Sequence, residues 1–486
     1  MFPIETEVII VGAGISGLST SYYLSRKNIN HLIFEKSSAV GGIWNTQRWP
    51  GIRCDTDIIK YSFGFRPLFC PTSMVSGEVI SEYLSETSKI LDIESKVIFN
   101  TMVNKAVFDT QGNLWHVYTD KGCCKSRFLI NANGYFADAP YIPEIQGAEN
   151  FKGIITHLAN LDSHADLDDK RIVLVGSGAS AISAAPALCS MSKSMTLLQR
   201  SPSYIFEDDN QLGYFVKLSM RLHKIGLTQP TKLVNYLIQL KDDLIFVAFR
   251  HFPWVGKQFF KYHWIRAVGQ KMYEEHFRPS YNPWEQRIPV SIGLKEIIKN
   301  RKLEIVTGQI HSFTETGIVL SDGRILGADM CILATGYNLQ FFKFGVFIDN
   351  QQVDTKGINY YRGMMMGGLP NYFQPFGTQH TSFTRRIEVI SKLIVKIISY
   401  MKRRQIDTVS IERRKVEKSP RITPNYIMRE LGNLPIIYGS MELPSIDNFI
   451  FSFFLKRNYL FSKSKMRSDR SSIFRNHRPS RSSRLF

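Results

Sequence analysis

Two short glycine-rich runs carry the first chemistry legible in this 486-residue chain. One is Gly12-Ala13-Gly14-Ile15-Ser16-Gly17, and the apolar run that follows it ends on Glu35. The other is Gly176-Ser177-Gly178-Ala179-Ser180-Ala181, and the apolar run after it ends on Arg200. In such a loop the first glycine allows a tight turn and the second lets backbone approach a pyrophosphate. The third small residue lets a helix pack closely on a strand, and the helix N-terminus faces the phosphates. The closing residues differ in sign. A carboxylate accepts from a free ribose 2′-hydroxyl, whereas an arginine pairs with a 2′-phosphate. Gly12, Gly14, Gly17 and Glu35 therefore suit FAD or NAD. Gly176, Gly178, Ser180 and Arg200 suit NADPH, with Ser201 placed to add a hydrogen bond to the 2′-phosphate.

These loops need strands and helices to hold them. Glu7–Val11 and Ile172–Val175 are short, β-branched apolar runs that read as buried parallel strands. Val97–Met102, Ala106–Asp109 and Trp115–Thr119 read as a β-meander, with a Gly112-Asn113 turn between the last two. Phe128–Ile130 returns to a buried strand, and Pro140, Pro143 and Gly147 mark a linker. Residues 205–280 mix aromatic and basic residues at helical spacing in Tyr214–His223, Leu233–Leu240 and Trp264–His276, which predicts a helical insertion over a substrate site or at a membrane surface. Ser321-Asp322-Gly323 predicts a hairpin. A buried strand then ends in Ala334-Thr335-Gly336-Tyr337, another place for backbone to meet a cofactor, and Ile387–Met401 reads as an amphipathic helix.

The expected fold class is α/β, with two Rossmann-like dinucleotide-binding domains, one for FAD and one for NADP, and a helical insertion in the second. The expected division is 1–150 for the first part of the FAD domain and 151–325 for the NADP domain. The second part of the FAD domain is expected over 326–445, and a basic, disordered tail over 446–486.

Bulk composition narrows the rest. Hydrophobic residues at 44% and charged residues at 21% are ordinary for a globular chain with ample core. Cys54, Cys70, Cys123, Cys124, Cys189 and Cys331 contain no CxxC pair, which argues against a dithiol reductase and for a reducing, cytoplasmic setting. The first strand begins so near Met1 that no signal peptide is expected. No apolar run reaches the ~18 residues of a membrane span. The formal net charge is +19, and from Lys456 onward ten Lys or Arg face one acid. That tail reads as a solvated basic segment or as a peripheral contact with anionic lipid. No nucleic-acid fold signature accompanies it. Neither GxSxG nor HExxH occurs, and His157 and His164 fit no metal-ligand spacing, so no metal site is expected.

Longer stretches carry a family likeness. Phe151-Lys152-Gly153-Ile154-Ile155-Thr156-His157 precedes the second loop as an FxGxxxH run. Gly41-Gly42-Ile43-Trp44 and Arg48–Asp55 stand before it, and Leu198–Tyr204 and Tyr281–Arg287 after it. Over about residues 5–435 the chain resembles the class B flavoprotein monooxygenases, most of all Baeyer–Villiger monooxygenases of the ethionamide-activating type. Two places depart from the family pattern. Leu161-Asp162 stands where Trp-Pro is usual, and Asn133-Gly134 where Thr-Gly is common.

The resemblance implies an oxidoreductase that takes hydride from NADPH onto FAD and activates O2 as a flavin peroxide. One oxygen atom then enters a ketone, giving an ester or lactone. It implies that Arg287 is the catalytic cation, Asp55 its carboxylate partner, and His157 a group acting on domain motion and coupling. It further implies cofactor contacts at Gly42, Trp44, Asp55, Tyr61, Val103 and Gly336. Two alternatives stay open: oxygenation of a sulfide or amine, and a degenerate FAD-binding protein with weak, uncoupled activity, which Leu161-Asp162, Asn133 and the tail favour.

Overall fold

A computed structural model describes residues 4–377, 383–413, 425–430, 434–438 and 466–469. The chain forms two sheets with parallel cores, each built around one glycine loop. In the first, Glu5–Val11 lies between His31–Phe34 and Gly122–Asn131, parallel to both, so that Val11 stands beside Phe34 and Asn131. Val97–Ile98 extends this sheet beyond His31–Phe34, and Leu114–Thr119 and Val103–Asp109 extend it antiparallel on the other side. Gly345–Ile348 returns late in the chain to pair with Val103–Asp109, and Tyr372–Phe373 pairs with Gly122–Asn131.

The second sheet has five strands, all parallel, in the order Leu303–Thr307, Ser194–Gln199, Arg171–Val175, Met330–Leu333 and Ile154–His157. Gly317–Leu320 and Ile325–Gly327 form the hairpin signalled by Ser321-Asp322-Gly323. The chain crosses between the two sheets at Phe136–Pro140 and again at Tyr337–Leu339, and these two crossings pair antiparallel as a separate ribbon.

Three expectations change. The β-meander does not include Val97–Met102. Its third member is Gly122–Asn131, while Val97–Ile98 is an outer parallel strand. A two-residue strand leaves too short a pattern to reveal which neighbour it joins. The boundary placed at residue 326 falls inside the second sheet, because Met330–Leu333 pairs there with Arg171–Val175 and Ile154–His157. All four of its residues are buried, and a strand buried on both faces carries no sign of which sheet it enters. The helix expected over Trp264–His276 is instead the end of Pro253–Val268 followed by a short turn and a π-helical segment at Tyr273–Phe277, because Gly269 breaks the run at φ 86°.

The insertion itself consists of helices Tyr214–Lys224, Thr228–His251 and Pro253–Val268, packed in series. The helix expected at Ile387–Met401 spans Phe383–Arg404 and lies against Ile15–Ser25, with Thr20 Oγ1 and Ser391 Oγ 3.0 Å apart. Ile387, Ile390, Leu393, Ile394, Ile397 and Ile398 are fully buried, which fixes the helix of the first glycine loop from behind. No helix among the described residues is long and apolar enough to cross a membrane. The basic tail lies outside the described residues except for Met466–Asp469, which pair antiparallel with Thr408–Ile411.

Candidate functional site

Each glycine loop leaves its parallel strand and enters a helix without a capping side chain. Gly12 adopts φ 102°, and a Cβ there would stand 2.7 Å from the Ala132 carbonyl oxygen. Gly176 repeats the arrangement at φ 140°, 2.8 Å from the Ala334 carbonyl oxygen. In both loops backbone occupies the space a side chain would fill, so only glycine permits the turn. The helices Ile15–Ser25 and Ala179–Met191 therefore present first-turn N–H groups with no side-chain partner, as an anion requires. Gly14 faces Gly42, and Gly41 N–H donates to the Ala13 carbonyl at 3.0 Å, which brings the Gly41–Trp44 segment over the first loop.

Glu35 is buried at the end of His31–Phe34. Its carboxylate accepts from Ala13 N–H at 2.7 Å and Ser37 N–H at 2.8 Å. A carboxylate offers about four acceptor positions, so it retains capacity for a ribose diol. Thr101 N–H donates to the Glu35 carbonyl at 2.8 Å, which sets Val103, two residues on, at the buried start of its strand. Asn133 lies against Gly12 and holds a buried Oδ1 with no hydrogen-bond partner among the described residues. An orphan acceptor beside an uncapped helix and an unfilled carboxylate is what a bound dinucleotide or its waters would satisfy. These residues fit FAD. The departure at Asn133-Gly134 thus puts a polar atom at the loop, and it does not block it.

In the second loop, Ser177 Oγ lies 2.8 Å from Ser203 Oγ and reaches the Ser201 carbonyl at 3.4 Å. Ser180 sits half-buried in the first helical turn. Arg200 is exposed just past Ser194–Gln199 and makes no hydrogen bond or ion pair among the described residues. Gln199 beneath it is buried, donating to the His276 carbonyl at 2.7 Å and to Thr307 Oγ1 at 3.0 Å. A cation held at the strand end with no protein partner fits a phosphate.

Arg287 and Asp55 are joined across 232 positions of sequence: Arg287 Nη2 donates to both Asp55 carboxylate oxygens, at 2.7 and 2.5 Å. The Asp55 side chain is 14% exposed and that of Arg287 50%, so a well-covered carboxylate holds a cation that still reaches solvent. Asp55 leads into the turn Ile58–Tyr61, which Asp57 caps by accepting from Ile59 N–H at 3.1 Å. Tyr61 closes the turn and its hydroxyl accepts from Trp44 Nε1 at 2.7 Å, with the rings edge to face. Burial, aided by Cys54, raises the Tyr61 phenol well above its ordinary pKa and keeps it neutral. Asp55, Tyr61, Trp44 and Gly42 thus form one connected wall.

His157 ends Ile154–His157 in register with Leu333. Its Nδ1 accepts from Ala159 N–H at 3.1 Å, which assigns the neutral ring's proton to Nε2. Nε2 has no hydrogen bond of ordinary geometry, only a weak pull from the Gly336 carbonyl. Burial pushes the pKa down to about 4, so the ring is neutral near pH 7. It meets Tyr337 edge-on at 5.8 Å, and the Tyr337 hydroxyl donates to Gln47 Oε1 at 2.9 Å. His157 therefore sits at the foot of the inter-sheet ribbon and touches the Gly336 turn, away from the Arg287–Asp55 pair in its contacts. Leu161, the departure from the family pattern, is buried among Trp49, Leu158 and Leu167, and Asp162 accepts from His164 N–H at 2.8 Å to close a turn. Leu161 fills the core, Asp162 closes an exposed turn, and His157 stays in place.

One residue, Gln47, went unmarked in the sequence. Gln47 ties the ribbon to the Trp44 segment, and nothing about a glutamine between motifs signals this. Trp284 adopts φ 69°, an outlier for a bulky residue, three positions before Arg287. A turn in which Asn282 Nδ2 donates to Glu285 Oε1 at 2.7 Å surrounds it, and its indole meets Phe246 of the insertion at 5.5 Å.

The chain has relatives of known name and structure. Residues 9–221 match the family model described as pyridine nucleotide-disulphide oxidoreductase. The chain is 35% identical over 449 residues to the FAD-containing monooxygenase EthA of Mycobacterium tuberculosis, with 88% of this chain and 90% of that protein covered. It is 31% identical over 447 residues to the probable FAD-binding monooxygenase AlmA of Acinetobacter baylyi, covering 88% and 89%. Among solved structures, a steroid monooxygenase bound to NADP superposes with a TM-score of 0.76 at 21% identity, covering 96% of this chain and 99% of that one. An open cyclohexanone monooxygenase gives 0.77 at 18% identity, covering 96% and 100%.

Proposed function

Because the chain belongs to the family of FAD-containing monooxygenases, the class B flavoprotein monooxygenases, we propose that it inserts one oxygen atom of O2 into a ketone, giving an ester or lactone at the expense of NADPH. The observation that carries the reading is the Arg287–Asp55 pair. FAD and NADPH, when bound, supply the hydride and the oxygen activation.

The chain's own residues divide the remaining work. Gly12, Gly14, Gly17 and the uncapped helix behind them bind the FAD pyrophosphate, and Glu35 orients its ribose. Gly42, Trp44, Tyr61 and Val103 enclose the rest of that cofactor, with Gly336 at the crossing between sheets. Gly176, Gly178 and Ser180 take the NADPH pyrophosphate, and Arg200 with Ser201 selects its 2′-phosphate. Asp55 fixes the Arg287 guanidinium where negative charge develops on oxygen during attack on a carbonyl. An arginine cannot surrender its proton there, so the stabilising charge persists at every working pH. The neutral His157 takes no proton; it braces the Gly336–Tyr337 turn and so acts on how the two sheets move together.

The test is direct. The FAD-loaded protein is mixed with NADPH, air and a panel of ketones and sulfides. Ester or lactone formed in step with NADPH consumption supports the proposal. Sulfoxide without ester places the chain among sulfur oxygenators. NADPH consumption that yields only hydrogen peroxide supports a degenerate enzyme and overturns the assignment.

Arg200→Ala is expected to raise the KM for NADPH by about 10- to 100-fold, the loss of a charge-assisted contact, while kcat at saturation and the KM for NADH stay near those of the parent. An equal loss with both nucleotides would remove the 2′-phosphate role from Arg200.

A further inference from the structure

The helical insertion carries more apolar surface than its own packing uses. Helix Thr228–His251 buries Val234 and Ile238, which join Val216 and the Ile59 turn, and Phe246, which meets Trp284. Leu233, Leu237, Leu240 and Leu244 recur at spacings of four, three and four residues, a second helical stripe roughly opposite the first. Leu233 is 59% exposed and Leu244 56% exposed. The stripe borders an open groove of about 440 Å³ lined by Leu237, Leu240, Lys241, Leu244, Ile245 and Ala248. At the junctions of the three helices stand exposed aromatics: Tyr214 and Phe215 at the start of the first, and Phe252 and Trp254 between the second and third. A soluble surface rarely gathers this many large apolar groups without a partner.

Charge decides which partner fits. From Tyr214 to Val268 there are nine Lys or Arg and two acids. Neither acid offsets that charge freely: Asp242, 35% exposed, pairs with Lys60 at 2.5 Å, and Asp243 is fully buried. Lys217, Arg221, Lys224, Lys232, Lys241, Lys257 and Arg266 remain exposed. A second copy of the chain would bring the same basic surface against this one and be repelled. An anionic bilayer supplies the opposite charge, takes leucines into its acyl boundary and suits Trp and Tyr at the headgroup level.

We propose that the helical insertion is a peripheral membrane-binding face, in which the Leu233–Leu244 stripe and the Phe252–Trp254 corner enter the headgroup–acyl boundary of an anionic membrane while the surrounding lysines and arginines lie on its surface. This is independent of which substrate is oxygenated, and it does not involve the basic tail.

The test uses the full-length, FAD-loaded protein and sedimentation with large vesicles. One set is pure phosphatidylcholine, and the other contains roughly a third phosphatidylglycerol. Binding to the anionic vesicles is expected at least about tenfold more strongly than to neutral ones, weakening in high salt. The double variant Leu237→Asp/Leu244→Asp, altered only at exposed positions, is expected to lose at least about tenfold of that binding while retaining its flavin content and its rate of NADPH oxidation. Wild-type protein that stays in the supernatant overturns the proposal. A double variant that binds as the parent does also overturns it, since another part of the chain would then hold the membrane. Absence of vesicle binding together with a concentration-dependent dimer that the double variant abolishes assigns the stripe to a second copy instead.

Discussion

Arg287→Ala is expected to go on consuming NADPH while ester formation falls by about 10²- to 10³-fold, the cost of removing one preorganised group that stabilises developing oxyanion charge. The expectation follows from position. Arg287 touches Asp55 and lies outside both glycine loops, so nucleotide binding and hydride delivery are expected to survive its loss. Electrons that enter without productive oxygen transfer leave as hydrogen peroxide, and the ratio of peroxide to ester should invert relative to the parent. Asp55→Asn should show the same inversion more weakly, because it leaves the cation present and loosens only its fixing. Lysine in place of arginine should restore little, since one ammonium cannot reproduce the planar guanidinium on a carboxylate. Ester formation at the parent rate in Arg287→Ala would show that the pair is structural.

Gly12→Ala is expected to give protein that purifies with less than about a tenth of the parent's FAD, since the new side chain meets backbone and the residue must hold a strained φ. The Ala132 carbonyl, 2.7 Å from where the Cβ would lie, is main chain at the end of an adjacent buried strand and cannot step aside. Gly213→Ala provides the control: its φ of −62° suits any residue and nothing lies near its Cβ, so FAD content should be unchanged. Absorbance of the purified proteins in the visible range reads both. Full FAD content in Gly12→Ala would mean that the first loop is not where the flavin is held.

Both glycine loops are legible in the sequence because their chemistry is local. Turn, helix and closing Glu35 or Arg200 lie within a few dozen residues, at spacings the βαβ unit enforces. Arg287 and Asp55 are another matter. No periodicity relates positions 232 apart, and their pairing comes into view only through family likeness and then through the fold. The same limit explains Met330–Leu333, whose four buried residues announce a strand but not its neighbours. Thr228–His251 looked like a short helix at Leu233–Leu240 because it is apolar on two sides, which blurs the single stripe that marks a helix end. Trp284 lies inside the Tyr281–Arg287 stretch that carries the family likeness, but its positive φ goes with the Asn282–Glu285 turn and the Phe246 contact, neither of which residue type reveals.

The pairing of Phe136–Pro140 with Tyr337–Leu339 has a mechanical consequence. Two separate tethers between two bodies would allow each to swivel, slide and tilt. Zipped together, they form one flat strap, which flexes easily across its plane and resists shear within it. The body holding the first loop and the body holding the second are thereby restricted toward a single folding axis. Gln47 and His157, both resting against Tyr337, sit where that axis is anchored, like stops on a door. Repeated opening and closing would then return the two nucleotide sites to the same alignment, without any residue of either site having to find its partner anew.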